Sequence, residues 1–287
     1  MNGLVRVFKP VGPTSTDMVR VAKRVFGTRA VGHLGTLDPA ASGLLLLGVG
    51  EGAKVAQYLD LDRKAYEFDI VFGRQTNTDD DEGEVIETSD KVATQTDVAI
   101  ALSSWVGEKQ QVPPQFSAIK IDGVRSYKRA RKGELIDLPP RSVRFDRIEL
   151  LSYDSKIARV SVECGSGTYM RSLARDIGAA TGALGHARNI FRTGIGVFEL
   201  EGAKGPDDMT TDDLIPLEEM VLPLPRVDLD QGDVPKFRQG QFLPVVGFEE
   251  QDLGVAVFGP AGLVGMGRIE FRERWILRPK RVFTHAD

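Results

Sequence analysis

Residues 32–50 read GHLGTLDPAASGLLLLGVG, and no other stretch restricts the fold of this chain as tightly. Its second half, Leu44 to Val49, is an apolar run of the kind that forms a buried strand. Its first half must be a loop. Asp38 precedes Pro39, which pushes its backbone away from the helical region toward an extended conformation, and Gly32, Gly35 and Gly43 allow sharp turns on either side. A carboxylate is thus presented from a constrained loop anchored on a core strand. Taken alone, Asp-Pro is an ordinary turn signal, so its meaning depends on what accompanies it.

The same region bounds the class of protein. The longest apolar stretch, Ala40 to Gly50, is about 11 residues long and is bracketed by Asp38 and Glu51, well short of the ~20 needed to span a bilayer. The opening MNGLVRVFKP has no apolar run of signal-peptide type. The chain has 287 residues, 41% hydrophobic and 27% charged, which describes a globular protein of about two domains. One cysteine, Cys164, permits no internal disulfide and no multi-cysteine zinc site, which suits a reducing compartment and makes the cytoplasm the expected location.

Charge is arranged in blocks. Lys+Arg 37 against Asp+Glu 41 gives −4 overall, so no global positive field announces a polyanion. Residues 1–35 nevertheless carry Arg6, Lys9, Arg20, Lys23, Arg24 and Arg29 against Asp17 alone, about +5. Residues 117–147 hold nine cations, among them Lys120, Arg125, Lys128, Arg129, Arg131 and Lys132, against four acids, again about +5. A single basic patch is usually a solvated face, whereas two separated ones point to a polyanionic partner.

Periodicity supplies the coarse architecture. Thr14 or Ser15 can cap a helix with Val19, Ala22 and Phe26 on one face and Gly27 as its stop. Tyr66, Phe68, Ile70 and Phe72 alternate as in a half-buried strand, and another strand runs from Ile157 to Cys164. Gly165 to Thr168 then turn into a helix bearing Tyr169, Leu173 and Ile177. Strands and helices mix without a βαβ rhythm, so the class is α+β. A boundary falls in the stretch around Pro216, Pro223 and Pro225, after which short strands divided by glycines, from Val234 onward, suggest a small β-barrel.

The motifs FKPVGPTS (8–15), GHLGTLDPAASG (32–43), GRQTNTDDDEG (73–83), PPQFSAIKIDGVRSYKRARKGE (113–134), GTYMRSLARDIG (167–178) and HARNIFRTGIG (186–196) follow one another in order. In that order and at those spacings they resemble the tRNA pseudouridine synthase B family, which makes pseudouridine-55 in the T loop of tRNA. The resemblance implies a catalytic domain over 1–225, with a central mixed, largely antiparallel sheet flanked by helices. It also implies an RNA-gripping insertion at about 113–145 and a PUA-like β-barrel over 226–287. No cofactor and no metal are implied, and the expected partner of a monomeric enzyme is tRNA.

By the same resemblance Asp38 is the catalytic aspartate, Arg171 its cationic partner and Tyr66 the ring that stacks on a flipped base. Arg171 also falls in the first turn of its helix, where a cation opposes the helix dipole, so a functional account suits it better than a stabilising one. Tyr66 continues the apolar alternation and would otherwise read as core. His33, without partners at metal spacing, matches the histidine that takes the place of the extruded nucleotide. Lys54, Asp80, Tyr169 and Ile190 match positions around the substrate, and Lys120, Lys128, Arg129 and Arg131 are candidate phosphate contacts. Lys9 and Pro10 match a dipeptide that supports the catalytic loop. The acidic run Asp79–Asp80–Asp81 lacks the full spacing of a calcium loop. Two alternatives share these features: a guide-dependent RNA pseudouridine synthase subunit, and a non-catalytic RNA-binding or RNA-folding protein.

Overall fold

A computed structural model describes residues 1–117, 119–121, 124–130, 137–247 and 254–283. Its centre is a ten-stranded sheet with the path β14 (Ile215–Pro216), β1 (Gly3–Lys9), β3 (Ser42–Val49), β12 (Gly185–Ile195), β4 (Lys64–Phe72), β11 (Ile157–Cys164), β10 (Arg141–Tyr153) and β7 (Gly107–Gln111). Two short strands extend it: β2 (Val31–His33) on β3 and β13 (Phe198–Glu199) on β12. Every pairing is antiparallel except β12 with β3, so the sheet is mixed and largely antiparallel.

The apolar run explains why β3 lies inside. Leu44 and Leu46 pack on one side with Leu4, Val55 and Leu217, and Leu45 and Leu47 pack on the other with Val5, Val7 and Met18. A strand covered on both faces reads as continuous apolar sequence rather than as alternation. The second side is covered by α1 (Ser15–Val25), whose capping box is made by Thr14 and Asp17. Between the two candidates, Thr14 is therefore the cap. Met18, Val19, Ala22 and Phe26 are buried, and Gly27 at φ 60° ends the helix.

Helices α3 (Gln95–Ser104) and α5 (Met170–Thr181) contribute Val98, Leu102, Leu173 and Ile177 to a core with Phe68, Ile70, Val160 and Val162. Between β4 and α3 lies a two-stranded ribbon, β5 (Arg74–Thr76) with β6 (Val85–Thr88). Between β7 and β10 the chain forms a second ribbon, β8 (Lys120–Ile121) with β9 (Val124–Arg125), followed by α4 (Ser126–Ala130). Short α2 (Gly52–Val55) and α6 (Leu217–Met220) sit beside β1 and β3.

The tail is a curled five-stranded sheet in the order β15 (Arg226–Asp228), β17 (Val255–Gly259), β18 (Gly262–Arg272), β19 (Arg274–Val282) and β16 (Leu243–Pro244), as expected of a PUA-like unit. Its core contains Val227, Phe237, Ile269 and Leu277. One expectation is corrected: Asp233–Arg238 is a helix, α7, where strands were expected from Val234. Asp230 receives hydrogen bonds from the backbone N–H groups of Gly232 and Asp233, and Pro235 is tolerated because it lies in the first turn. The tail packs on the body, for Ala256, Leu263, Met266 and Phe283 share a core with Leu4, Leu44 and Leu46. At the same junction Arg281 pairs with Glu51 at 2.6 Å.

Gly43 marks a tight crossing in the sheet. Its φ is +110°, and a Cβ there would stand 2.3 Å from the carbonyl oxygen of Arg192. Gly43→Ala should therefore destabilise the protein by at least about 2 kcal/mol. The midpoint of urea unfolding measures this, and an unchanged midpoint would show that β3 and β12 can separate without cost.

Candidate active site

The Asp38 loop is held from three directions. The Ser15 hydroxyl donates to the Leu37 carbonyl at 3.0 Å and accepts from the Leu37 N–H at 2.9 Å. The buried Lys9 ammonium donates to the carbonyls of Pro10, Pro13 and Pro39 at 2.8, 2.9 and 3.4 Å, and burial lowers its pKa to about 8. Arg192 donates to Leu44 at 2.8 Å and to Thr36 at 3.0 Å. A loop fixed at 36, 37, 39 and 44 leaves Asp38 little freedom, which is what precise placement of a reacting carboxylate requires.

Asp38 meets Arg171, with Oδ2 and Nη2 2.6 Å apart. The arginine side chain is 5% exposed and the aspartate side chain 41%, so the cation is structural and the carboxylate accessible. Arg171 lies in the first turn of α5, after Tyr169 as the N-terminal cap residue. It also donates to the carbonyls of Thr78 and Phe116, both at 3.0 Å, and faces Asp80 at 3.6 Å. A buried guanidinium needs such compensation.

The three consecutive acids diverge. Asp79, at φ 61°, pairs with Arg175 at 2.9 Å, and burial raises its pKa to about 6 despite that cation. Asp80 turns to Arg171 and accepts from the Thr78 hydroxyl and the Glu82 N–H. Asp81 accepts a contact from the buried His186 ring at 2.7 Å. Only the middle carboxylate faces the Asp38 partner.

Two cavities flank the Asp38–Arg171 pair. The larger, about 420 Å³, is bounded by Thr14, Thr78, Asp80, Phe116 and Ser117 together with the pair itself. The smaller, about 220 Å³, is walled by Tyr66, Ile190, Tyr169, Lys64 and Arg192. Tyr66 belongs both to this wall and to the core, and burial raises the pKa of its hydroxyl. Ile190 lies in the stretch of β12 where the register against β4 shifts, between Arg188 and Phe191, an irregularity that re-aims side chains. Gln111 fixes the Tyr169 backbone through both its N–H and its carbonyl, at 2.9 and 3.2 Å. Burial also raises the Tyr169 hydroxyl, with Asp38 adding to the shift.

The remaining sequence candidates lie elsewhere. His33 ends β2 at an exposed position and pairs with Leu47; it bounds neither cavity. Lys54 lies on α2 and pairs with Glu51 at 2.9 Å. Lys120 and Lys128 have their main chains in β8 and α4, Arg129 is half-buried on α4, and Arg131 lies outside the described residues. Sequence reasoning missed Ser15, Lys64 and Arg192. A charged residue at the buried phase of a strand, as at Arg192, is the signal that could have exposed the last.

Cys164 is not available as a nucleophile, since burial pushes its thiol up to about 12. Among the described residues no group of three or more His, Cys, Asp or Glu side chains is placed to hold a metal ion. No helix among them is long and apolar enough to cross a membrane.

Comparison with known proteins gives this geometry a context. Residues 23–170 match the family model described as TruB family pseudouridylate synthase, N-terminal domain. A protein of Mycobacteroides abscessus named tRNA pseudouridine synthase B is 41% identical over 86% of this chain and 86% of its own length. One of the same name from Roseobacter denitrificans is 38% identical over 100% of this chain and 97% of its own. Among solved structures, an H/ACA RNP bound to a substrate RNA containing 2′-deoxyuridine superposes with a TM-score of 0.74 at 22% identity, covering 99% of this chain and 86% of the other. That likeness shows the fold. The family match and the extent of the related sequences show that this chain belongs to the TruB family of pseudouridylate synthases.

Proposed function

We propose that this protein isomerises uridine to pseudouridine in the T loop of tRNA, with Asp38 as the reacting carboxylate. The observation that carries this reading is the Asp38–Arg171 pair between two cavities, one of them walled by an aromatic ring and an aliphatic side chain. The net reaction breaks the C1′–N1 bond and forms C1′–C5; a proton leaves C5 and N1 gains one. Substrate and product are isomers, so the balance needs no oxidant or reductant. The carboxylate contributes as nucleophile or as base.

The target base must leave its stack to reach a carboxylate set between two cavities. In this reading Tyr66 stacks on the extruded ring, Ile190 and Tyr169 close its pocket, and Asp80 braces Arg171. Lys9 and Pro10 hold the loop from behind. His33, on an exposed strand end, occupies the space that the nucleotide vacates. Residues 1–225 form the catalytic domain and 226–287 the PUA-like one, and the enzyme acts as a cytoplasmic monomer. A stand-alone enzyme is favoured over a guide-dependent subunit because the relatives at 38–41% identity are named tRNA pseudouridine synthase B. Incubation with an unmodified, guide-free tRNA transcript should yield one pseudouridine, mapped to the T loop. Modification only in the presence of a guide RNA, or at another site, would overturn the assignment.

The insertion after β7, with Lys120, Lys128, Arg129 and Arg131, would grip the folded T loop through phosphates, shape and stacking. Reversing Lys128, Arg129 and Arg131 to Glu should weaken tRNA binding strongly. It should also flatten the salt dependence, each lost contact removing about 0.7 to 0.9 from the slope of log K against log salt. Single-turnover rates at saturating enzyme should fall less than affinity. Unchanged affinity and slope would make the segment a solvated basic face.

A further inference from the structure

We propose that Arg192, with Lys64 beside it, supplies the positive charge that stabilises the uracil ring while it is detached from the ribose. The inference rests on the isomerase reading above, and it starts from a buried cation with no counter-ion.

Arg192 is 1% exposed and sits at the meeting point of the site's strands. On β12 it is the cross-strand partner of both Tyr66 on β4 and Gly43 on β3. Two of its N–H groups are committed to the carbonyls of Leu44 and Thr36. Its Nη2 is buried and has no hydrogen-bond partner. The Tyr66 hydroxyl lies near enough for the guanidinium to favour its ionised form both by charge and by a side-chain contact, against the larger effect of burial.

Other shielded arginines of the body are balanced by acids: Arg171 by Asp38 and Asp80, Arg175 by Asp79 and Asp176, and Arg159 by Glu67 and Asp69. No carboxylate pairs with Arg192 among the described residues. Lys64, on the wall of the same cavity, donates to the Ser166 hydroxyl at 3.0 Å. Burial and the Arg192 charge both lower its pKa. A buried guanidinium without a paired carboxylate, beside an ammonium that Asp62 offsets only in part, is costly to shield from water, and the repulsion between the two cations is relieved when an anion arrives.

The chemistry supplies that anion. When C1′–N1 breaks, its electron pair goes to N1, and the charge spreads over the two ring carbonyls. Asp38 already places one negative charge beside the ring, and Arg171 is committed to Asp38 and Asp80. The cations left to meet the new charge are Arg192 and Lys64. A preoriented cation aimed at charge that develops during the reaction accelerates bond breaking without tightening the ground state.

The test uses the full-length protein and single-turnover reactions with tRNA transcripts carrying uridine or 5-fluorouridine. Fluorine stabilises the departing ring anion and should reduce the need for the protein's cations. Arg192→Gln should slow uridine isomerisation about 100-fold with tRNA affinity within about threefold. Arg192→Lys, which keeps the charge but cannot span the Leu44 and Thr36 carbonyls, should lose less than Arg192→Gln. Cleavage of the fluorinated N-glycoside should show a deficit at least about fivefold smaller for Arg192→Gln than uridine does. Should the Gln variant fail to fold, judged by circular dichroism, Lys64→Gln removes the other cation and should show the same contrast. Equal losses in Arg192→Gln and Arg192→Lys, or equal deficits on the two bases, would overturn the electrostatic role. A wild-type protein that isomerises no uridine in tRNA would overturn the isomerase reading instead.

Discussion

Asp38→Asn should abolish pseudouridine formation, lowering the single-turnover rate by more than about 10³-fold, while tRNA affinity stays within about threefold of wild type. The separation follows from the geometry. An amide fills the space of the carboxylate, and the loop that presents it is fixed by Ser15, Lys9 and Arg192, so the surface offered to RNA is preserved. What disappears is the negative charge on which nucleophilic or basic catalysis depends. Filter binding and rapid-quench assays on one preparation give both numbers. Turnover within about tenfold of wild type would remove Asp38 from the chemistry.

Arg171→Lys should cost about 10²-fold or more in rate although it conserves charge. The guanidinium meets Asp38 and the Phe116 carbonyl through Nη2, and the Thr78 carbonyl and Asp80 through Nη1. A single ammonium cannot span that fork. Lysine would leave buried carbonyls unsatisfied and let the Asp38 carboxylate turn away from its reactive orientation. The loss belongs in kcat. A variant with normal kcat and weakened tRNA affinity would make Arg171 a phosphate contact and not the orienting partner of Asp38.

Features governed by local chemistry were legible before any coordinates. The Leu44–Val49 run read as a buried strand, Thr14 or Ser15 announced a helix start, and the alternation from Tyr66 to Phe72 read as a half-buried strand. The site was partly legible, because the order of the motifs singled out Asp38, Arg171, Tyr66 and Ile190, and the structure brings these four to one place. The remainder depended on distance in three dimensions. Ser15 looked like a capping candidate, yet its hydroxyl reaches across 22 positions to Leu37. Arg192 and Lys64 look like ordinary strand cations until the sheet path places their strands, β12 and β4, side by side. Among Asp79, Asp80 and Asp81 the register could not be decided from spacing, because a positive φ at Asp79 turns each carboxylate toward a different partner. The helix at 233–238 was misread because glycine-divided apolar runs around it dominated the pattern, while Asp230, which accepts from the Gly232 and Asp233 N–H groups, lies outside the segment.

The central claim is that this protein moves the glycosidic bond of one T-loop uridine from N1 to C5. Tritium release from a tRNA transcript labelled at C5 of its uridines tests it most directly, because the C5 hydrogen leaves only when that carbon bonds to the ribose. Release should correspond to one uridine per transcript with the wild-type protein, be lost when the T-loop uridine is replaced by cytidine, and be absent with Asp38→Asn. Tight tRNA binding without release, or release that survives the cytidine replacement, would contradict it.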